Sequence, residues 1–387
     1  MKPTVERVPS PIAPGNYFLL GDEASADGAV CAGCNFFAGY PITPASELMV
    51  RMVHRLKETG GAFIQMEDEI GSISAMIGAS WAGARAMTAT SGPGLSLMME
   101  GIGYAVMTET PIVIVDIQRA GPSTGQATRP GSGDVFQVRF GSHGDCEVIA
   151  LSPWSVQEIF DLTIEAFNLS EAFRVPAFVL ADESVGHLRE KVVVPATVER
   201  WRRPTKPGAP PFDTDDADGV PPMPAFGQGE RLLVTGSTHD ERGLRKTQDS
   251  AVHRRLIKRL IGKVRDAADR IARWEAYHIE DAELRVVAYG FSARAALEAV
   301  HRLREREKVK AGLFRPITLW PFPESALSEA AAGVREVIVP EMNYGQVVRE
   351  VERILRRPVL HLPQVDGEGM RPGTIIEGVE AMTRAAV

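Results

Sequence analysis

The chain has 387 residues, which is enough for two or three domains of about 150 residues each. Hydrophobic residues make up 44% of it and charged residues 24%, as in globular proteins with sizeable cores. The net charge of −7 argues against a general nucleic-acid binder, and no apolar run approaches the roughly 18 residues of a membrane span. No signal peptide is recognisable, and three cysteines are too few for a disulfide framework, so we expect a cytoplasmic protein.

Residues 15–195 are predicted to form an α/β domain around a parallel sheet, preceded by an N-terminal tail, residues 1–14. Short and almost wholly apolar strands alternate with helical stretches, a pattern typical of a parallel sheet covered on both faces. The predicted strands are Phe36–Gly39, Phe63–Gln65, Ala86–Ala89, Ile112–Asp116, Glu147–Ala150 and Ala177–Ala181, and the clearest helices are Ile70–Gly83 and Ser155–Phe173.

Residues 196–229 are predicted as a proline-rich linker over the surface, because closely spaced prolines disrupt both ladders and helices. Residues 230–387 then predict a second α/β domain. It opens with a charged helical stretch, Arg245–Glu275, which we interpret as a solvated amphipathic helix. The further predicted elements are the strand Arg285–Tyr289, the helix Ala293–Arg304, and the strands Ala311–Phe314 and Glu336–Pro340.

The first candidate site motif is Tyr40-Pro41-Ile42-Thr43-Pro44, which directly follows an apolar strand. Two prolines stiffen the loop around Thr43, and open α/β sheets bind ligands at the carboxyl ends of their strands. The Thr43 hydroxyl is therefore a candidate donor to a carboxylate or carbonyl. The alternative is that Thr43 only caps the helix predicted to follow, Ala45–Leu56.

The second motif is Glu67-Asp68-Glu69, which runs into a helix rich in Gly, Ala and Ser. Acidic residues are favoured at a helix N-terminus, so capping explains two of the three and leaves one for a chemical role. The small residues predict close approach of another backbone or of a flat ligand. They are Gly71, Ser74, Ala75, Gly78, Ala79 and Ala82.

Two further loops follow predicted strands. The glycine-rich turn Thr90–Gly94 has neither the lysine nor the spacing of a nucleotide-binding loop, so it is a weak phosphate signal. The loop from Asp116 to Gly125 carries Arg119, with Arg129 ten residues later, and two arginines suit an anionic substrate. Cys31 and Cys34 form one C-x-x-C pair without a second pair, so we assign both to packing.

Three long segments together resemble the alpha subunit of the 2-oxoacid:ferredoxin oxidoreductases, most of all its 2-oxoglutarate branch. They are GNYFLLGDEASADGAVCAGCNFFAGYPITPASE, FIQMEDEIGSISAMIGASWAGARAMTATSGPGLSLM and QRAGPSTG. In the second half GSTHDERG, RPITLWPFPE and PEMNYGQVVREV resemble the second domain of the same subunit. The implied fold is a thiamine diphosphate-binding, pyrimidine-type parallel-sheet domain followed by an α/β domain like the C-terminal domain of transketolase.

The resemblance also implies roles for individual residues. Glu69 matches the glutamate that hydrogen-bonds the aminopyrimidine of thiamine diphosphate, so that an acid–base pair inside the cofactor is tuned by the protein. Thr43, in the cofactor-contacting loop with Tyr40, Pro41 and Ile42, matches the threonine that contacts the substrate. Arg119 matches the arginine of the substrate pocket, and Arg129 is a second substrate-binding candidate.

The resemblance implies a partner, because parts of the family's chemistry have no counterpart in this chain. The GDG…N motif for Mg²⁺ and diphosphate is missing, since Asp366–Gly369 has the wrong order, and the cysteines for a [4Fe–4S] cluster are missing too. Both groups belong to the family's beta subunit, so we expect an (αβ)₂ assembly that shares thiamine diphosphate between the subunits. A gamma-type domain is expected as a separate chain or not at all.

The expected reaction is CoA-dependent oxidative decarboxylation of 2-oxoglutarate to succinyl-CoA and CO₂, with reduction of ferredoxin. Branched-chain 2-oxoacids and pyruvate are alternative substrates. A dinucleotide-dependent dehydrogenase is disfavoured because no G-x-G-x-x-G precedes an acid by about 20 residues. A non-catalytic assembly subunit is disfavoured by the presence of Thr43, Glu69 and Arg119.

Overall fold

The computed structural model describes residues 3–385, with side chains described for residues 3–381, and shows two α/β regions. The strands of the first region are β1 (Thr4–Pro9), β2 (Gly15–Leu20), β3 (Phe36–Gly39), β4 (Ala62–Gln65), β5 (Ala86–Thr90), β6 (Val113–Ala120), β7 (Gln126–Pro130), β8 (Ile149–Leu151), β9 (Ala177–Asp182), β10 (Arg189–Val194) and β11 (Thr197–Arg202). Its helices are α1 (Gly21–Cys31), α2 (Ser46–Thr59), α3 (Glu69–Trp81), α4 (Gly92–Met107), α5 (Val135–Phe140), α6 (Val156–Phe173) and α7 (Glu183–His187).

The second region follows an irregular stretch, residues 203–249. Its strands are β12 (Trp274–Tyr277), β13 (Leu284–Val287), β14 (Ala311–Pro316), β15 (Thr318–Trp320), β16 (Glu336–Glu341) and β17 (Leu360–Pro363). Its helices are α8 (Ser250–Arg265), α9 (Ala268–Ile271), α10 (Gly290–Glu305), α11 (Glu324–Ala330), α12 (Val347–Leu355) and α13 (Pro372–Ala385). Within residues 3–385 the helices are all too short or too polar to cross a membrane.

The main sheet has the order β15-β8-β9-β6-β5-β3-β4, with β7 paired to β6. The strands from β8 to β4 are parallel, and β5 and β9 are buried along their whole length, which explains their continuous apolar sequences. The antiparallel edge strand β15 comes from the second region, so the two regions share this sheet. The second sheet, β12-β14-β13-β16-β17, is parallel except for β12. The predicted α/β class with parallel sheets is confirmed.

The predicted tail and linker are both corrected by one strand pair. β1 lies inside the predicted tail, residues 1–14, and pairs antiparallel with β11, which lies inside the predicted linker, residues 196–229. The stretch Thr197–Arg202 contains no proline, so its backbone N–H groups are available to the ladder. The prolines begin only after it, and Phe212 and Met223 from the proline-rich stretch are buried on the first region.

The single charged helix predicted over Arg245–Glu275 is also wrong. It divides into α8, the short helix α9 and β12, because Trp274–Tyr277 pairs antiparallel with β14. One face of α8 is buried rather than solvated, since Lys263 is 4% exposed and its Nζ lies 2.9 Å from a carboxylate oxygen of Glu109. A buried ion pair gives the same charged sequence pattern as a solvated face, so composition cannot tell them apart.

Candidate active site

The predicted site residues lie at the carboxyl ends of four neighbouring strands of the main sheet, β4, β3, β5 and β6. The loop Tyr40–Pro44 follows β3, and Met66–Asp68 leads from β4 into α3. The turn after β5 opens α4, and Arg119 lies near the end of β6. Parallel strands direct these four segments to the same edge of the sheet, which is where open α/β sheets bind ligands.

Thr43 does not cap the helix that follows it. α2 begins at Ser46, its N-cap position is Ala45, and no side chain bonds the exposed N–H groups there. The side chains of Tyr40 and Thr43 are exposed, whereas the Thr43 backbone carbonyl accepts a hydrogen bond from Nη1 of Arg119 at 2.7 Å. The backbone hydrogen bond to Arg119 therefore positions the loop, and the Thr43 side chain remains accessible to a ligand.

Glu69 is the acid that capping does not explain. Asp68 is the N-cap of α3, and its Oδ1 accepts from the Gly71 N–H at 2.7 Å. Glu69 is 4% exposed and packs against the start of α4, where a Cβ at Gly94 would overlap the Glu69 carboxylate. Burial raises the pKa of Glu69, and among the charged neighbours only Asp68 adds to that increase. A buried carboxyl without a cation is suited to proton exchange with a bound ring nitrogen.

Arg119 lies inside β6 rather than in a loop, because the strand continues to Ala120 instead of ending at Asp116. Its side chain is 8% exposed, and its Nε is buried without a hydrogen-bond partner. Within the described side chains, no carboxylate lies within ion-pair distance of the Arg119 guanidinium. The guanidinium of Arg119 therefore forms no ion pair among the described side chains, as expected of a residue that binds an anionic ligand.

Arg129 is directed elsewhere. It lies in β7, its side chain is 55% exposed, and its Nη1 pairs with Oε1 of Glu368 at 3.0 Å. Glu368 belongs to the loop Asp366–Gly369 after β17, so this arginine joins the two regions across the surface. The structure thus brings Thr43 and Arg119 into contact and places Arg129 in an ion pair of its own.

A cavity of about 670 Å³ opens beside Arg119 between the two regions. Gly92, Arg119 and Asp134 line it from the first region, and Asn343 and Tyr344 line it from the second. The sequence interpretation missed the last three of these residues. Asp134 lies in no motif. Asn343 and Tyr344 belong to the segment PEMNYGQVVREV, but its distance along the chain from Arg119 gave no sign that both line one cavity.

The small residues of α3 do not all meet another element. α4 approaches α3 closely at Gly101, where a Cβ would lie 2.6 Å from Cγ2 of Ile73, while Gly78 on another face of α3 has nothing within 4 Å.

Cys31 and Cys34 are buried free thiols whose pKa values are raised by burial. Both cysteines belong to the hydrophobic core of the first region, in agreement with the packing role assigned to them.

Family models match both regions of the chain. Residues 27–259 match the model described as pyruvate flavodoxin/ferredoxin oxidoreductase, thiamine diP-bdg, and residues 282–375 match pyruvate:ferredoxin oxidoreductase core domain II. The chain therefore belongs to the thiamine diphosphate-dependent 2-oxoacid:ferredoxin oxidoreductases.

Two kinds of subunit from this family are similar to the chain to different degrees. The chain is 50% identical to the 2-oxoglutarate synthase subunit KorA of Methanocaldococcus jannaschii, over 92% of this chain and 96% of that protein. It is 37% identical to the ketoisovalerate oxidoreductase subunit VorB of Methanothermobacter marburgensis, over 86% and 88% of the two chains. The chain is thus a homologue of KorA subunits, as the sequence motifs predicted.

One solved structure of a 2-oxoglutarate:ferredoxin oxidoreductase is similar over nearly the whole of this chain. A 2-oxoglutarate:ferredoxin oxidoreductase from Magnetococcus marinus, solved with 2-oxoglutarate, coenzyme A and succinyl-CoA bound, has a TM-score of 0.90 and 32% identity. That match covers 95% of this chain but 65% of the longer chain in that structure. A split-gene transketolase matches with a TM-score of 0.55 at 13% identity, over 94% and 97% of the two chains, and so shows the shared fold alone.

Proposed function

We propose that this chain is the alpha subunit of an enzyme that converts 2-oxoglutarate and CoA to succinyl-CoA and CO₂ while reducing ferredoxin. The observation that carries the proposal is the convergence of Glu69, Thr43 and Arg119 at one sheet edge. Homology at 50% identity to KorA over nearly the whole of both chains supports 2-oxoglutarate as the substrate. Branched-chain 2-oxoacids are the alternative, supported by the 37% identity to VorB.

The residues around Glu69 fit the aminopyrimidine of thiamine diphosphate. Among the described residues no cation acts on the buried carboxyl of Glu69, and Gly94 lets the start of α4 lie directly against that carboxyl. Bound thiamine diphosphate supplies a nucleophilic carbon and an electron sink for decarboxylation. Glu69 would hold the aminopyrimidine by a hydrogen bond and exchange a proton with it, and the loop of Tyr40, Pro41 and the half-buried Ile42 would contact the cofactor.

Thr43 and Arg119 form the proposed binding site for the substrate's 2-oxoacid group. The Thr43 hydroxyl donates to the substrate carboxylate or carbonyl, and the guanidinium of Arg119 supplies the positive charge. Nη1 of Arg119 also donates to the Thr43 carbonyl at 2.7 Å, and this hydrogen bond links the two residues directly. Arg129 remains a second candidate, which would have to leave Glu368 to reach the substrate.

We assign Mg²⁺, the cofactor diphosphate and a [4Fe–4S] cluster to a beta subunit, in an (αβ)₂ assembly with or without gamma and delta chains. Apolar side chains exposed on α2, β4, α3 and α4 support a partner on the surface of the first region. They are Val50, Val53, Ile64, Ile70 and Leu97. Ferredoxin and CoA are the further partners, and three free cysteines agree with a cytoplasmic enzyme.

The test is to co-express the chain with its candidate beta subunit and to measure ferredoxin reduction with CoA. The substrates to compare are 2-oxoglutarate, 2-oxoisovalerate and pyruvate. We expect the highest kcat/KM with 2-oxoglutarate, and a tight complex that contains iron and thiamine diphosphate. The chain expressed alone should contain neither. Iron and stoichiometric cofactor in the isolated chain, or no 2-oxoacid oxidation by the complex, would contradict the proposal.

A further inference from the structure

A pair of buried aspartates lies beside the proposed substrate site. Asp116 lies in the middle of β6 with its side chain fully buried, and neither of its carboxyl oxygens receives a hydrogen bond from a described donor. Its neighbour is a second carboxyl, Asp134, within hydrogen-bonding reach. Ionisation of both would bury two like charges next to each other while both Asp116 oxygens lack a donor, so a shared proton is favoured.

Asp134 connects this pair to the cavity. It precedes α5 and does not cap it, because its side chain makes no bond to the first turn. The backbone N–H of Asp134 donates to Oε1 of Gln118 on β6 at 3.1 Å, which holds this residue next to the strand that carries Asp116. A Cβ at position 92 would lie 2.9 Å from Oδ1 of Asp134 and 3.0 Å from its Oδ2, so Gly92 makes room for this carboxyl at the cavity wall.

The charges place the proton on the inner residue. Burial, followed by the charge of Asp134, raises the pKa of Asp116 well above its usual value. Burial raises the pKa of Asp134 to about 6, while the hydrogen bond from Asp116 and the positive charge of Arg119 act in the opposite direction. Among the described residues, Arg119 is the charged group that faces the pair; Gln118 and Gly92, from β6 and the start of α4, are neutral.

We propose that Asp116 holds a proton and donates it in a hydrogen bond to Asp134, and that Asp134 competes with the substrate carboxylate for the charge of Arg119. Asp134 is then a positioning residue that acts through Arg119. When the carboxylate of a 2-oxoacid binds to Arg119, its negative charge favours the protonated form of Asp134. The substrate therefore binds together with one proton. The inference deepens the proposed function and rests on it, because it takes Arg119 to be the substrate's cationic partner.

The pH dependence of substrate affinity tests this coupling in the assembled complex. As the pH falls through about 6, Asp134 becomes neutral, so KM for 2-oxoglutarate should fall by roughly three- to tenfold without a parallel change in kcat. The inhibition constant of glutarate, a dicarboxylate without the keto group, should follow the same profile. Asp134→Asn should give a low KM that no longer depends on pH in this range.

Three variants separate this role from a structural one. Asp145→Asn, an exposed aspartate in the loop after α5, should keep the wild-type profile. Asp116→Asn keeps a hydrogen-bond donor beside Asp134 and should also keep the profile. Asp116→Ala removes that donor, so the break in the profile should move to higher pH, because the bond from Asp116 lowers the pKa of Asp134.

Infrared spectroscopy of the same complexes at neutral pH tests the proton itself, independently of activity. Because other buried carboxyls such as Asp22 also have a raised pKa, the readout is the difference spectrum against the wild type. We expect Asp116→Asn to lose one protonated-carboxyl C=O absorption that Asp134→Asn retains. The inference is overturned if Asp134→Asn has the pH profile of the wild type, or if no such absorption is lost in Asp116→Asn. A complex that shows the absorption but oxidises no 2-oxoacid would instead contradict the proposed function.

Discussion

Two buried glutamates of the first region show how differently the same side chain can be used. Glu109, just after α4, is fully buried, and its carboxylate lies 2.6 Å from Nη2 of Arg259 and 2.9 Å from Nζ of Lys263. These cations, together with Arg174, hold its pKa well below its usual range despite its burial. Glu69 is almost equally buried but has no cation beside it, and its pKa is raised.

The presence or absence of neighbouring cations distinguishes a carboxylate that stabilises the fold from one that is available for chemistry. Glu109 neutralises charges that join α8 to the first region, so removal of the carboxylate leaves buried cations without a partner. Glu69 forms no ion pair among the described residues and lies at the edge where open α/β sheets bind ligands, and a perturbed pKa at such a place indicates function. Burial alone therefore does not identify a site residue, but burial without compensation does.

Glu69→Gln should have the largest effect and gives the most direct test of this comparison. The amide keeps the size of the side chain but cannot exchange a proton, so we expect kcat to fall by roughly 10²–10⁴-fold. Assembly and thermal stability of the complex should stay unchanged. Steady-state ferredoxin reduction measures the loss, with Glu67→Gln, an exposed neighbour, as the matched control. A fully active Glu69→Gln complex would remove the distinction between the two glutamates.

Glu109→Gln should instead reduce stability, by about 3–5 kcal/mol in the free energy of unfolding at neutral pH. Because the folded pKa of Glu109 is depressed, its stabilisation is present above the pKa of the unfolded chain and is lost as the pH falls below it. The difference between wild type and variant should therefore shrink below about pH 4. Urea denaturation at several pH values checks this, and Glu100→Gln, exposed on α4, should be nearly neutral.

Arg119 extends the comparison to cations, because it too is buried without an ionic partner. Arg119→Ala should lower kcat/KM by an amount equivalent to about 2–3 kcal/mol, the value of a hydrogen bond to a charged group. Arg119→Lys should recover only part of this, because lysine cannot make a bidentate contact. The paired and exposed Arg129 offers a control, and equal losses in Arg119→Ala and Arg129→Ala would contradict the assignment.

Thr43→Ala should have the smallest effect of the series. Loss of one substrate hydrogen bond lowers kcat/KM by about 1–2 kcal/mol while cofactor content stays normal. Stability should not change, since Thr43 makes no cap for α2. Thr59→Ala, at the distant end of the same helix, is the control. An unchanged kcat/KM in Thr43→Ala would leave the Thr43 carbonyl as this residue's only contribution.

Much of the fold could be predicted because its signals are local. Apolar strands that alternate with helical stretches indicated the parallel sheet, and six strands of the main sheet lie within a few residues of their predicted positions. Three consecutive acids exceed what one helix cap needs, and the family resemblance then indicated Glu69 as the chemical one; Asp68 is indeed the cap. The errors came where pairing was distant, as for β1 with β11 and β12 with β14.

The sequence by itself determined the element types, the motifs Tyr40–Pro44 and Thr90–Gly94, and the family, because each depends on neighbouring residues in the chain. Only the tertiary structure decided which charges are compensated. Arg129 and Glu109 form ion pairs with residues more than 140 positions away in the chain, and Asp116 interacts with a second carboxyl instead of a cation. The energy of a charge depends on its desolvation and its nearest neighbours in space, and both are set by packing, which no local pattern encodes.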